Sequence, residues 1–240
     1  MKNVSTKQKK NQDQKLWTYH QTDNVNSLFS GHPRQDRIFK KINNIIKAGK
    51  ILEIGFGDGY LLQKLTKKYK CYGADISKEN IEQMKNKIKN VDFKQVNTDG
   101  KLPYKDNFFD GFIASEVLEH MDDKELNKNI KEIYRVLKPG GKVILTFPAD
   151  ENLRDNECFC PNCGLNFHKW GHKQAWSDNK INKIFRRFKI IQKKKFFVPY
   201  IGHNKKELFL GKAVWLIRTI LNKVIFIEHA TYLVVLQKNK

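Results

Sequence analysis

Three groups of residues have types and spacings that can do chemistry. The first is Gly55, Gly57 and Gly59, at every second position directly after the apolar run that ends in Glu53-Ile54. Glycines there admit unusual backbone angles and let ligand atoms approach the main chain closely. Asp75 follows Gly55 by 20 residues and ends the run Cys-Tyr-Gly-Ala-Asp, where an acidic group can accept hydrogen bonds from ribose hydroxyls. Together they suit an adenosine-containing ligand. A dinucleotide loop normally reads G-x-G-x-x-G, but Tyr60 stands where its third glycine would fall. No Gly-Lys-Ser/Thr follows, so a phosphate-binding P-loop is excluded. The competing reading is a tight strand-to-helix turn with no ligand.

The second group is Glu116, Glu119 and His120. An imidazole titrates near neutral pH and suits a general base. Two carboxylates with an imidazole also suit Mg²⁺ or another divalent ion. Against both stands a plain role in beginning the next helix. The third group is Cys160, Cys163, His168 and His172, spaced C-x2-C-x4-H-x3-H. The cysteines flank Pro161 and the histidines stand four apart, which would put both imidazoles on one face of a helical turn. A Cys2His2 set is that of a closed structural zinc site, and its linker is too short for a base-reading finger. Cys158 is a spare thiol. Free thiols or a redox pair compete, with His168 or His172 left as a base in a lid.

The elements that must position these residues follow from periodicity. Strands are predicted at Ile51–Gly55, Cys71–Ile76, Val91–Asn97, Phe109–Ser115 and Lys142–Phe147. Between them fall helical patterns at Tyr60–Tyr69, Lys78–Lys89 and Asp122–Leu137, the last stopped by Pro139-Gly140-Gly141. Strands alternating with helices argue for βαβ units and a parallel α/β sheet covered on both faces. Phe188–Val198 and Thr231–Gln237 are predicted to pair as an antiparallel hairpin with a long insertion at its tip. In such sheets ligands bind beyond the carboxyl ends of the strands, where the strand order reverses.

At this point several motifs, in order, resemble a known family. Glu53 to Gly59 (EIGFGDG) looks like motif I of class I S-adenosylmethionine (SAM) dependent methyltransferases. Asn97 to Gly100 with Leu102-Pro103, Phe109-Asp110, Glu116 to His120 (EVLEH) and Arg135 to Gly141 (RVLKPGG) continue the resemblance over roughly residues 50–148. The resemblance implies a doubly wound, mostly parallel seven-stranded sheet with an antiparallel last strand. It implies SAM lying on Gly55, Gly57 and Gly59, with Asp75 and Ile76 at the ribose, Thr98 and Asp99 at the adenine, and Glu53 steadying the loop or the methionine end. Glu116, Glu119 and His120 become the catalytic candidates. Some quinone-biosynthesis and small-RNA methyltransferases carry a similar E-x-x-E-H metal motif. The RNA enzymes add a His directly afterwards, and Met121 stands there instead.

The chain has 240 residues and a formal net charge of +21. Nucleic acid or anionic lipid would account for that. So would compositional bias, since only seven of the 46 basic residues are Arg, the preferred residue for bidentate phosphate recognition. Residues 1–20 read as a disordered basic arm without a secretory h-region. Residues 21–240 read as one domain carrying a Cys/His insertion at 151–176 and an amphipathic helical insertion at 205–226. The latter has Leu210, Val214, Ile217, Leu221 and Val224 on one face. It suits internal packing, a lid, a dimer face or an interfacial helix on lipid. No run of about 18 uncharged apolar residues occurs, so no spanning helix is predicted. The expectation is a cytoplasmic enzyme, peripheral to the membrane if that helix binds lipid. Its acceptor is expected to be a small-molecule, glycan or lipid-linked compound, with nucleic acid as the alternative and a non-catalytic scaffold as another.

Overall fold

The computed structural model describes residues 32–97, 100–162, 164, 166–197 and 230–240. In chain order the strands are β1 (Lys50–Ile54), β2 (Lys70–Asp75), β3 (Val91–Gln95), β4 (Phe109–Ser115), β5 (Leu137–Pro148), β6 (Glu157–Phe159), β7 (Asn166–His168), β8 (Phe188–Phe197) and β9 (Ala230–Lys238). Seven of them form one sheet ordered β3-β2-β1-β4-β5-β9-β8, and β6 pairs with β7 apart from it. β1 to β5 pair in parallel, while β9 runs antiparallel to both β5 and β8. This is the doubly wound, mostly parallel sheet with an antiparallel last strand that the motifs implied. The order reverses between β1 and β4, so the crevice beyond their carboxyl ends is the switch point.

The helices are α1 (His32–Ile45), α2 (Tyr60–Leu65), α3 (Lys78–Lys87), α4 (Asp123–Val136) and α5 (Asp178–Ile184). Strand side chains alternate between faces, and both faces are buried. Ile51, Ile113 and Ile144 meet Ile38 and Ile42 of α1, Leu61 and Leu65 of α2, and Ile81 and Met84 of α3. On the opposite face, Leu52, Phe112 and Leu145 meet Leu126, Ile130 and Ile133 of α4 and Ile181 of α5. Each such aliphatic side chain contributes about 1.5–3 kcal/mol on burial.

Several boundaries differ from expectation for local reasons. Helix α2 stops at Leu65 rather than Tyr69, because the Tyr69 hydroxyl donates to the Ile46 carbonyl at 2.8 Å and anchors that residue in the core. Strand β5 starts at Leu137, ahead of the Pro-Gly-Gly, since Leu137 already pairs with Phe109 and a bulge absorbs the offset. Helix α4 begins where its apolar stripe requires. Asp122 caps it, accepting from Glu125 N at 2.8 Å while Glu125 accepts from Asp122 N at 3.1 Å. The β8–β9 hairpin forms, and the predicted helical insertion at 205–226 lies outside the described residues, as does the arm at 1–20. Among the described residues no helix is long and apolar enough to cross a membrane.

Candidate functional site

β1 ends at Ile54, and the glycines after it take left-handed angles: φ is 62° at Gly55, 53° at Gly57 and 73° at Gly59. Two of them are glycine for different reasons. A Cβ on Gly55 would fall 2.5 Å from Val117 Cγ2, so this position is closed by packing. A Cβ on Gly57 would meet nothing within 4 Å, so the space beside that backbone is open to a ligand. The Gly55 N–H donates to the Ala74 carbonyl at 2.9 Å, tying the loop to β2.

Asp75, the last residue of β2, is 4% exposed. Its Oδ1 accepts from Ser77 N at 2.9 Å and its Oδ2 from Asn80 Nδ2 at 3.4 Å. Burial raises its pKa, and the bonds from Ser77 and Asn80 work against that rise. Asn80 Nδ2 also donates to the Gly57 carbonyl at 3.1 Å. Asn80 therefore couples the acidic residue to the glycine loop, a role the sequence reading missed. The available signal was Ser77, whose side chain caps α3 and fixes Asn80 in its first turn. Ile76 is half-buried and its carbonyl accepts from Gln95 Nε2 at 3.2 Å. Glu53 is 1% exposed and its Oε2 has no hydrogen-bond partner. Burial, reinforced by the charge of Asp58, pushes its pKa well above the usual carboxylate range. Thr98 and Asp99 lie outside the described residues.

β4 ends at Ser115, and Glu116 follows with φ at 55°. A left-handed conformation in a non-glycine residue stores strain of about 1–3 kcal/mol and tends to mark functional turns. Leu118–His120 forms a single 3-10 turn. Glu116 Oε2 lies 3.5 Å from Arg34 Nη2. Glu119 is fully buried, and neither of its carboxylate oxygens has a hydrogen-bond partner. Burial, then the neighbouring Glu116 charge, push its pKa well up. His120 Nδ1 lies 3.2 Å from the Gly171 carbonyl. Burial, then His172, hold its pKa well below the ordinary imidazole value. Helix α1 contributes residues that sequence reasoning did not single out. Besides Arg34, His32 places Nε2 2.9 Å from Asp58 Oδ2 and stacks on Tyr60 at 3.9 Å. Both contacts join residues more than 20 apart, and nothing local announces them.

The Cys/His insertion folds as a hairpin and a strap. β6 and β7 pair Glu157 with His168, Cys158 with Phe167 and Phe159 with Asn166. Cys160 thus stands at the tip, where its carbonyl accepts from Gly164 N at 2.8 Å, and His168 stands at the base. Cys163 lies outside the described residues. The histidines are not on a helical turn as expected. His168 ends a strand, and the chain reverses at Gly171, whose φ is 72°. The His168 and His172 rings nevertheless stack at 4.7 Å. Their acidic neighbour is Glu151: its Oε2 is 2.6 Å from His172 Nδ1 and its Oε1 is 3.4 Å from His168 Nε2. Burial raises the Glu151 pKa, but the bond from His172 and the charges of both imidazoles outweigh it, so the net shift is downward. His168 is shifted down, chiefly by burial. Beyond Gly171 the chain lies on the Glu116–His120 turn, with Lys173 N and Gln174 N donating to the Glu119 carbonyl at 2.7 and 3.0 Å. Among the described residues, two triplets hold donor atoms within 4.8 Å of one another, Glu119/His120/His172 and Glu151/His168/His172. Cys160 is in neither.

The chain therefore has the Rossmann-like fold of class I methyltransferases, with an open glycine loop and a polar cluster at the switch point. Residues 52–145 match the family model described as "Methyltransferase domain". An uncharacterized methyltransferase, YdaC, of Bacillus subtilis is 32% identical over 111 residues, covering 45% of this chain and 60% of the relative. The ubiquinone/menaquinone biosynthesis C-methyltransferase UbiE of Rickettsia bellii is 33% identical over 123 residues, covering 46% of this chain and 48% of the relative. The chain thus spans roughly half to three-fifths of these relatives. Among solved structures, the PH0226 protein of Pyrococcus horikoshii aligns with a TM-score of 0.61 at 20% identity, covering 92% of this chain and 95% of that one. That likeness carries the fold.

Proposed function

We propose that this protein is a SAM-dependent methyltransferase acting on a small-molecule, glycan or lipid-precursor acceptor. The observation that carries the reading is the linkage through Asn80, whose one amide holds both the Gly57 carbonyl and the Asp75 carboxylate. Asp75 is thereby aimed beside the open backbone at Gly57, as a ribose-binding acid should be. The similarity to methyltransferases supports the same reading, and the ubiquinone/menaquinone biosynthesis C-methyltransferases among the relatives are in keeping with a lipid-like acceptor.

SAM, when bound, supplies an electrophilic methyl group on a sulfonium. The residues are left to position, to exclude water and to manage one proton. Asp75 and Ile76 would hold the ribose, Thr98 and Asp99 would meet the adenine, and the Gly55–Gly59 backbone would let the ligand lie close. Glu53 would steady the loop or face the cationic methionine end, where a positive charge would offset the cost of its burial. At the end of β4, on the acceptor side, Glu116 and His120 would engage the acceptor's nucleophile, and the buried Glu119 would stand behind them.

The test is a calorimetric titration of folded protein with SAM. Wild type binds one equivalent, and Asp75→Ala and Gly57→Ala each weaken binding about tenfold or more, the cost of about 1.4 kcal/mol for one charged hydrogen bond or one obstructed contact. A flat titration of wild type overturns the reading. Labelling an extract of the source cells with methyl-tritiated SAM then reads the acceptor. Label in small-molecule or lipid fractions fits the proposal, and label confined to RNA replaces it.

A further inference from the structure

Helix α1 and the β8–β9 hairpin gather positive charge on one face of the sheet. Paired residues on neighbouring strands point to the same face. Across β5, β9 and β8 one row reads Lys142, Gln237, Lys189, and nearer the end of β8 Lys194 stands opposite Leu233. Leu233 and Val235 pack with Ile38 and Ile42 of α1, so these lysines share the face on which α1 lies. Lys189 and Lys194 are exposed there. From the helix, Arg37 is exposed and lies over the Phe196 ring at 4.7 Å, with Lys41 one turn further on. Burial, then the charge of Lys189, lower the Lys142 pKa, so two cations of the row act on each other.

Counter-charges are directed elsewhere. The helix and the two strands hold nine basic residues and one acid. That acid, Asp36, is turned to α2, where it accepts from Lys64 Nζ at 2.6 Å. The carboxylates that meet the hairpin are Asp178, 3.1 Å from Lys193, and Asp150, 2.5 Å from Lys195. Lys193 and Lys195 stand opposite Val234 and Tyr232, on the other face of the sheet. Edge strands commonly carry lysines that block pairing with another chain. That accounts for Lys189 and Lys194, but not for Lys142, two strands inward, nor for Arg37 and Lys41 on a helix.

The same edge carries an apolar side chain. Ile191 sits in the bulge between Ile190 and Gln192 and is 42% exposed. An apolar residue among cations suits the boundary between lipid headgroups and acyl chains. Single-stranded RNA calls instead for exposed rings on which bases stack. Among the described residues the exposed large rings are Phe159 and Phe167, on the Cys/His insertion. The strip also has a direction. β5 and β8 both run antiparallel to β9, so it rises toward the carboxyl ends of the sheet. There Phe196 and Pro148 both stand opposite Thr231, and Arg34, one turn before Arg37, meets Glu116.

We propose that the face formed by Arg37, Lys41, Lys142, Lys189, Ile191 and Lys194 docks on an anionic lipid bilayer, with the mouth of the candidate site at the rim of the contact. Clusters of lysine and arginine are held at such surfaces by the negative headgroups. A lipid-borne acceptor would then reach the site from the bilayer. That consequence rests on the methyl-transfer reading, while docking does not.

The test is sedimentation of the full chain with vesicles of equal parts phosphatidylglycerol and phosphatidylcholine, against vesicles of phosphatidylcholine alone. Wild type binds the first and not the second, and rising salt releases it. Lys189→Gln/Lys194→Gln weakens binding about 25-fold, roughly fivefold for each cation removed, at an unchanged melting temperature. Lys128→Gln/Lys131→Gln, on the exposed side of α4, removes the same charge from the opposite face and leaves binding within about twofold of wild type. Should the strand variant fold poorly, Arg37→Gln/Lys41→Gln tests the helical wall with the same expectation. Equal losses in the strip and α4 variants would make net charge the cause and overturn the proposal. So would wild type that ignores anionic vesicles, or vesicle binding that survives in the strip variants. RNA binding that depends on the strip, with no vesicle binding, replaces the lipid with nucleic acid. SAM titration of Lys189→Gln/Lys194→Gln stays at wild-type affinity, so loss of docking and failure of the methyltransferase reading are read separately.

Discussion

Glu53 is an acid placed where an acid is expensive. It alternates with Leu52 and Ile54 onto the face packed by α1 to α3, with 1% exposure and an unpartnered Oε2. Burial and the Asp58 charge keep it protonated to a higher pH than in the unfolded chain, where the value is 4.5. The folded state then binds more protons than the unfolded one above pH 4.5, so stability of the ligand-free protein falls as pH rises from 4.5 through the raised folded value. Below 4.5 both states are protonated and the effect is absent. Glu53→Gln removes this contribution. The variant should be about 1–3 kcal/mol more stable than wild type at neutral pH and equal to it at pH 4, while binding SAM more weakly. Denaturant unfolding of both proteins between pH 4 and 8 checks this, and identical pH slopes would refute it. Glu53, Gly57 and Asp75 were legible in the sequence because one loop and one strand end carry them. Glu151 and Arg34 were not, since each meets its partner, His172 or Glu116, across the fold rather than along the chain.

The same division between local and distant order governs the elements. Helix α4 was legible almost to the residue because its cap and its stripe are local, although its end is set by the pairing of Leu137 with Phe109 rather than by the Pro-Gly-Gly. The insertion was not. β6 and β7 are three residues each, too short to signal themselves by alternation, and the reversal at Gly171 replaces the expected helical turn. What holds the strap is tertiary. Trp176 is fully buried and stacks on Phe147 at 4.1 Å, and Gln174 Nε2 donates to the Met121 carbonyl and to Asp123 Oδ1, both at 2.9 Å. Trp176→Ala should therefore cost about 3–5 kcal/mol. A milder probe is Gln174→Ala, expected to cost about 1–3 kcal/mol and to loosen the strap over Glu119. Hydrogen exchange at the Lys173 and Gln174 amides, both bonded to the Glu119 carbonyl, should accelerate in Gln174→Ala while the amides of β1 and β4 stay protected. Unchanged exchange at those two amides would show that the strap is held by something else.

At the scale of the whole molecule, the fold and the glycine site follow from patterns that recur along the chain, whereas the acceptor must be recognised by surfaces that do not repeat. The net charge of +21 is the strongest global signal, and it has two sources that make opposite predictions. If the surface is built to read RNA, contacts are specific and include Arg forks matched to phosphate. If it is a compositional background of lysines, RNA binding is a counterion effect alone. Of the seven arginines, Arg135 is committed to Glu132 and Asp106 at 2.7 Å each, and Arg34 faces Glu116. Both are turned to carboxylates of this chain rather than to a partner. The expectation is therefore weak, sequence-independent RNA binding, with a dissociation constant of roughly 10⁻⁴ to 10⁻⁶ M at physiological salt and a linear fall of log affinity with log salt concentration. Fluorescence anisotropy with two unrelated RNA oligonucleotides across 50 to 300 mM salt, on the order of the range where such binding collapses, reads both quantities. Nanomolar affinity for one oligonucleotide at physiological salt, lost for the other, would mean the basic surface selects its ligand and would replace the proposed small-molecule acceptor with RNA.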